Sequence, residues 1–186
     1  MSEQRLKPLT PETMTPDQHA VAEAIQLGPR GAGLGGPFNA LLRSPELCDL
    51  VQRVGVYVRF KSAVPAPLNE MAVCMIARKW TAQCEFYGHR RLALEAGLAA
   101  AILDAIAAGQ RPVKLSDDEA AVYDFASELL GTGQVSDASY AGVKNQFGER
   151  GVMDLTGAIG YYSLVSMVVN VDRVPLPAGV EPLKPL

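Results

Sequence analysis

Histidine is scarce in this chain: of 186 residues, only His19 and His89 carry an imidazole. His89 lies in Cys84-Glu85-Phe86-Tyr87-Gly88-His89-Arg90-Arg91, a segment that reads as helix. An imidazole is the usual proton carrier near neutral pH. On a helix turning by about 100° per residue, Glu85 precedes His89 by four positions and is offset by only about 40°. The carboxylate and the imidazole therefore share a face, while Cys84 is rotated by about 140° and faces elsewhere. A second carboxylate, Glu70, precedes an uncharged run over residues 71–77 that covers every side of two turns and marks a central helix. The pattern suits acid–base work by His89 with Glu85 beside it, and a Glu70 that enters the core region partly desolvated. It equally suits a solvated i,i+4 ion pair worth a few tenths of a kcal/mol, and a Glu70 that complements the positive end of its helix. The sequence leaves those readings open.

Other chemistry is thinly represented. The three cysteines, Cys48, Cys74 and Cys84, are odd in number and widely spaced, so neither a disulfide framework nor a CxxC dithiol is expected. No zinc-ligand spacing is recognisable; a metal on His89, Glu85 and Glu70 is conceivable, but none is expected. Gly31-Ala32-Gly33-Leu34-Gly35-Gly36 matches the letters of a dinucleotide fingerprint. That fingerprint needs a strand before it and a helix opening at it. Here a helix precedes it and Pro37 follows it, so a loop without a nucleotide is expected.

The elements that must position these groups are helical almost throughout. Thr15-Pro16-Asp17-Gln18 supplies an N-cap, a proline in the first turn and a capping-box glutamine for a helix ending at Gly28-Pro29. Ser44-Pro45-Glu46 opens a second helix reaching residue 60. Val64-Pro65-Ala66-Pro67 reads as a rigid break. A third helix is expected from residue 68 or 69 to 80, and a fourth over 83–96, stopped by Gly97. An Ala-rich helix over 98–108 ends at Gly109. Ser116-Asp117-Asp118-Glu119 is a further capping box, for a helix to residue 130. Helices over 136–147 and 149–171 follow, and residues 175–186 form a Pro-rich extended tail. The expectation is an all-α fold in one domain spanning 1–186, with the helices packed as a multihelical bundle.

Composition narrows the function classes. Net charge is −3, from 17 basic and 20 acidic residues, without the basic excess of a nucleic-acid binder. The start, MSEQRLKPLTPETMTPDQ, has no apolar core and does not read as a secretory signal. The uncharged stretch 155–171 is short for a membrane span and carries glycines and tyrosines, so a buried helix is the better reading. A cytoplasmic, reducing compartment is the expectation. Charged residues make up only 20% of the chain, which hints at a subunit interface.

Taken together, Glu70, Glu85-Phe86-x-x-His89 and Ala93-x-x-Ala96-Gly97-Leu98 resemble the carboxymuconolactone decarboxylase / alkylhydroperoxidase D-like superfamily. The flanks Gly36-Pro37-Phe38, Ser44-Pro45-Glu46-Leu47, Gly55, Arg59-Phe60, Asp154-Leu155, Gly160-Tyr161-Tyr162 and Asn170 agree with it, over roughly residues 5–175. The resemblance implies a bundle of the alkylhydroperoxidase D-like type and homo-oligomers, as dimers, trimers or hexamers. In peroxidase members, a Glu and a His nineteen residues later relay protons to a CxxC pair, and Glu70 and His89 match these two. The cysteine positions fall on Ala82 and Glu85. In decarboxylase members, a histidine and carboxylates move protons on a small organic acid without a cofactor. The leading expectation is therefore a cofactor-independent decarboxylase, lyase or isomerase acting on a small organic acid or lactone. His89 exchanges the proton, Glu85 orients it, and Glu70 completes the relay. Phe86 and Tyr87 shape the pocket, and Arg59 anchors a carboxylate. The alternatives are a peroxidase using Cys84, with Cys48 or Cys74 resolving, and a non-catalytic oligomeric binding protein.

Overall fold

The computed structural model describes residues 3–29, 31 and 33–185. Among them are eight α-helices and no strand. They are α1 (Pro16–Leu27), α2 (Phe38–Leu41), α3 (Pro45–Phe60), α4 (Ala66–Lys79), α5 (Gln83–Glu95), α6 (Ala100–Ala107), α7 (Asp117–Thr132) and α8 (Asp137–Asp172).

Local signals set most of the boundaries. The Thr15 backbone N–H donates to Gln18 Oε1 at 2.9 Å, and the Gln18 N–H donates to Thr15 Oγ1 at 3.3 Å, closing the expected capping box. At α7 the Ser116 N–H is taken by Glu119 Oε2 at 2.8 Å. Three starts differ from expectation, one being α6, which opens at Ala100 and not at residue 98. The four-residue α2 has no capping side chain and left no sequence signal. Helix α4 begins at Ala66, because Pro67 falls in the first turn, where the missing N–H has no helical partner in any case. Glu70 thus lies one turn inside the helix, which favours a core carboxylate over one that complements the helix end.

Helix α4 is the axis of the molecule. Every residue over 68–78 is buried, and the helix packs against α5, α6, α7 and α8. Met71, Val73 and Ile76 join Leu103, Phe125 and Leu155 among the fully buried side chains of one continuous core. Each such side chain contributes about 1.5–3 kcal/mol of burial.

Helix α8 is long and apolar enough to cross a membrane, yet just over half of its most apolar window is buried against the bundle. It is also two helices, broken where Gly148 takes φ 70°, ψ −179°, a conformation nearly confined to glycine. The break falls between the two helices expected from the sequence. Buried Asp154 ties α8 to the end of α3: its carboxylate accepts from the Tyr57 hydroxyl at 2.9 Å and the Ala63 N–H at 2.7 Å.

The glycine-rich segment follows α1 and precedes α2 with no strand beside it among the described residues; its Ala32 lies outside them, as does Leu186 of the tail. The tail has no regular structure but folds back on the bundle. Gln83 Nε2 donates to the Leu183 carbonyl at 3.2 Å, and the Leu183 N–H donates to Gln83 Oε1 at 2.7 Å.

Candidate acid–base site

The turn between α4 and α5 fixes the site. Thr81 takes φ 49°, a left-handed conformation uncommon outside glycine, and folds the two helices into a hairpin. Glu70 on α4 and His89 on α5 then face each other. His89 Nδ1 and Glu70 Oε2 are hydrogen-bonded at 2.5 Å. On the other side of the ring, Nε2 lies 3.4 Å from Glu85 Oε2, one turn earlier on α5. The imidazole is clamped between two carboxylates, each on its own ring nitrogen. All three residues are buried, and His89 is only 9% exposed. From the last turn of α3, half-buried Arg59 brings its Nε to 3.9 Å from Glu70 Oε1. From α8, the Tyr162 ring meets the imidazole edge-on, with centroids 4.8 Å apart.

Opposing forces act on the His89 proton. Burial favours the neutral ring, but the hydrogen bonds and charges of Glu70 and Glu85 outweigh it and raise the pKa to about 9. At neutral pH the ring is an imidazolium, so the group is poised to give a proton. Glu70 holds the Nδ1 side tightly, and the contact on the Nε2 side is the longer of the two.

Each of the residues singled out in the sequence has a definite place. Glu70, Glu85, His89 and Arg59 converge. Phe86 and Tyr87 belong to a different face: with Gln83 and Arg90 they are centred roughly 130° round α5 from the Glu85–His89 stripe. They line a cavity of about 760 Å³, closed on its far side by tail residues 180–185. Neither this cavity nor three smaller ones elsewhere on the bundle are lined by Glu70, Glu85 or His89. The three groups are held by contacts with one another, with Arg59 and with Tyr162.

Cys84 also turns away, into a cavity shared with Asn170 and Arg173. Burial and the neighbouring Glu85 push its thiol up to about 11. Burial, with Asp49 adding to it, places Cys48 at about 11, and burial, reinforced by Glu70, lifts Cys74 well beyond the usual thiol range. A peroxide-reducing cysteine needs the opposite, a thiolate at neutral pH. Among the described residues, no three His, Cys, Asp or Glu side chains group in a way that could hold a metal. Glu70 and Glu85 sit on opposite sides of the ring instead of facing a common point. Tyr162 is the participant that sequence reasoning did not place; its only signal was a tyrosine pair inside an otherwise apolar helix.

Comparison of the chain with protein-family models and with curated proteins finds no match.

Proposed function

We propose that this protein is a cofactor-independent acid–base enzyme of the carboxymuconolactone decarboxylase-like type, acting on a small organic acid or lactone. The observation that carries the reading is the buried imidazolium held between Glu70 and Glu85. A surface ion pair needs no such enclosure. In a decarboxylation, the bond to the carboxylate carbon breaks, CO₂ leaves, and the electron pair stays on the substrate carbon. His89 Nε2–H then delivers its proton to that carbon, and the neutral ring is recharged from solvent. Glu70 keeps the ring oriented, and Glu85 gives way to the substrate at Nε2. Arg59 is the partly exposed cation beside the cluster, and its planar fork suits the substrate carboxylate. The same proton transfer without loss of CO₂ serves an isomerase or lactone-opening step.

The test is a panel of short β-keto acids and unsaturated lactones incubated in D₂O and followed by NMR. One or more should gain deuterium at the reacting carbon. Arg59→Gln should raise KM about tenfold with kcat little changed, as expected for a lost carboxylate contact. Cys84→Ser should leave the rate unaltered. A panel without any deuterium gain, or a Cys84→Ser variant without activity, defeats the proposal.

The same reading includes a fold of the alkylhydroperoxidase D-like type, a cytoplasmic location, and self-association without nucleic-acid or membrane partners. What supports self-association is an apolar stripe on α3, where Leu47, Leu50, Val54, Tyr57 and Phe60 are exposed, with Leu50 at 59%. Met153, Met167 and Val171 are exposed on α8, which packs beside it. Monomers rarely leave so much contiguous apolar surface in water. Sedimentation velocity should show an oligomer that the double substitution Leu50→Glu, Val54→Glu converts to folded monomer. A wild-type chain sedimenting as a monomer at tens of micromolar contradicts this part.

A further inference from the structure

The cavity of about 760 Å³ between α5, α6 and the tail has no part in the chemistry assigned to His89. One stripe of α5 forms its floor, where Gln83, Phe86, Tyr87, Arg90, Arg91 and Leu94 recur at helical spacing. Two small residues at the end of α6, Ala107 and Ala108, form a second wall. The tail supplies the roof, with Leu176, Val180 and Leu183 half-buried. That roof is pinned in place. The Gln83 side-chain amide donates to the Leu183 carbonyl at 3.2 Å and accepts from its N–H at 2.7 Å, and Arg78 Nη2 donates to the Lys184 carbonyl at 2.9 Å. A space of this size with mainly apolar walls and a few polar groups is suited to a small molecule.

One polar group in the lining is free to meet a ligand. The Arg90 side chain is 30% exposed, and only its Nη2 is engaged, by Asp104 Oδ1 at 2.7 Å. Its Nε and Nη1 have no acceptor among the described residues and are not buried, so they are open to solvent. The other charges are committed or lie at the rim. Arg91 pairs with Glu95, one turn further on and outside the lining. Asp104 is committed to Arg90, and Lys184 and Glu181 are exposed on the tail. Among the described residues the lining carries three cations, Arg90, Arg91 and Lys184, against two acids, which favours an anion.

We propose that this cavity is a binding site for an aromatic carboxylic acid. The carboxylate accepts from the Arg90 donors that Asp104 leaves free, as a charge-assisted hydrogen bond. The ring system lies between Phe86 and Tyr87 on the α5 side and Leu176 and Val180 on the tail side. Neither half of such a ligand is enough by itself. A short acid leaves the apolar walls uncovered, and an uncharged ring leaves Arg90 without its acceptor. The site is separate from the acid–base cluster, because Glu70, Glu85 and His89 do not line it. The assignment does not depend on catalysis by His89.

The test is calorimetric titration of the whole chain with sodium 1-naphthoate, using sodium butyrate and the uncharged 1-naphthylmethanol as comparisons. Naphthoate should bind saturably, about tenfold more tightly than either, as expected for one charge-assisted contact added to a buried ring. Arg90→Gln should weaken naphthoate by about the same factor. Should Arg90→Gln fail to fold, Ala108→Trp, which fills the cavity from an exposed position, should weaken naphthoate at least as much. Arg59→Gln is the control for naphthoate entering the acid–base site, and it should leave the Arg90-dependent binding intact. The assignment is overturned by the absence of saturable naphthoate binding, by butyrate or naphthylmethanol binding as tightly, by undiminished affinity in folded Arg90→Gln or in Ala108→Trp, or by loss of binding in Arg59→Gln alone.

Discussion

Replacing His89 with glutamine will lower kcat by about 10²–10⁴-fold for whichever acid or lactone the wild-type protein turns over. Glutamine is close to histidine in reach and still donates a hydrogen bond to Glu70, but it has no proton to give at Nε2. Groups that bind substrate are untouched, because Arg59 comes from α3 and does not contact His89 directly. KM should therefore stay within a few-fold, and the loss should sit in kcat. The substitution also removes a cation from between two buried carboxylates, so it carries a stability cost that must be separated from the chemistry. Circular dichroism and a urea midpoint near pH 7 identify the folded fraction. Glu85→Gln is the companion variant: it keeps the imidazole and its strong contact with Glu70, and should lower kcat less than His89→Gln while preserving the fold. A folded His89→Gln protein with wild-type kcat leaves the cluster a structural feature only.

The parts of the molecule that were legible in the sequence are those governed by short-range rules. Capping boxes at Thr15 and Ser116, the proline start at Pro45 and the break at Gly148 depend on residues within four positions of one another, and all match the structure. The start of α4 lies two or three residues before the position the sequence suggests, because a proline that terminates one helix is also tolerated in the first turn of the next. That small displacement decides between the two readings of Glu70, which sits in the core and not at the helix end. Within the site, the Glu85–His89 pairing follows from helical spacing alone. The Glu70–His89 contact depends on how the α4–α5 hairpin closes, and sequence reasoning reached it only through a family resemblance. Arg59 joins the cluster through the packing of α3, which Asp154 secures from nearly a hundred residues away. Phe86 and Tyr87 show the limit of proximity along the chain. They are near neighbours of His89 in sequence, yet helical rotation carries them to a cavity that exists only because the tail returns over α5. The bond from Arg78, buried near the end of α4, to the Lys184 carbonyl joins positions more than a hundred residues apart and is equally beyond local rules.

Stability should fall as pH rises from about 6.5 to about 9, and His89 should be the cause. Its pKa is about 9 in the folded chain, against 6.5 for an unperturbed histidine. A group with a raised folded-state pKa binds its proton more tightly when folded, so its stabilisation is complete below pH 6.5 and gone above about pH 9. At about 1.4 kcal/mol per pKa unit, the interval corresponds to a loss of about 3 kcal/mol. The charged groups facing the ring are Glu70 from α4 and Glu85 from α5, with Arg59 from α3 behind Glu70; α8 contributes the Tyr162 ring. The buried thiols act in a neighbouring window with the same sign. Burial raises Cys48 and Cys84 from 9 to about 11, so they stabilise the fold while protonated and withdraw that support only above pH 9. Urea unfolding at half-unit steps from pH 6 to 9 should show the decline in wild type and a much flatter profile in His89→Gln. Glu70→Gln should behave similarly, because removing the closer carboxylate lets burial pull the imidazole pKa back down. NMR titration of the His89 ring provides the direct reading: an inflection near 9 in wild type, and a clearly lower one in Glu70→Gln. An inflection near 6.5 in the wild-type protein means that the ring is solvated, and the acid–base reading fails with it.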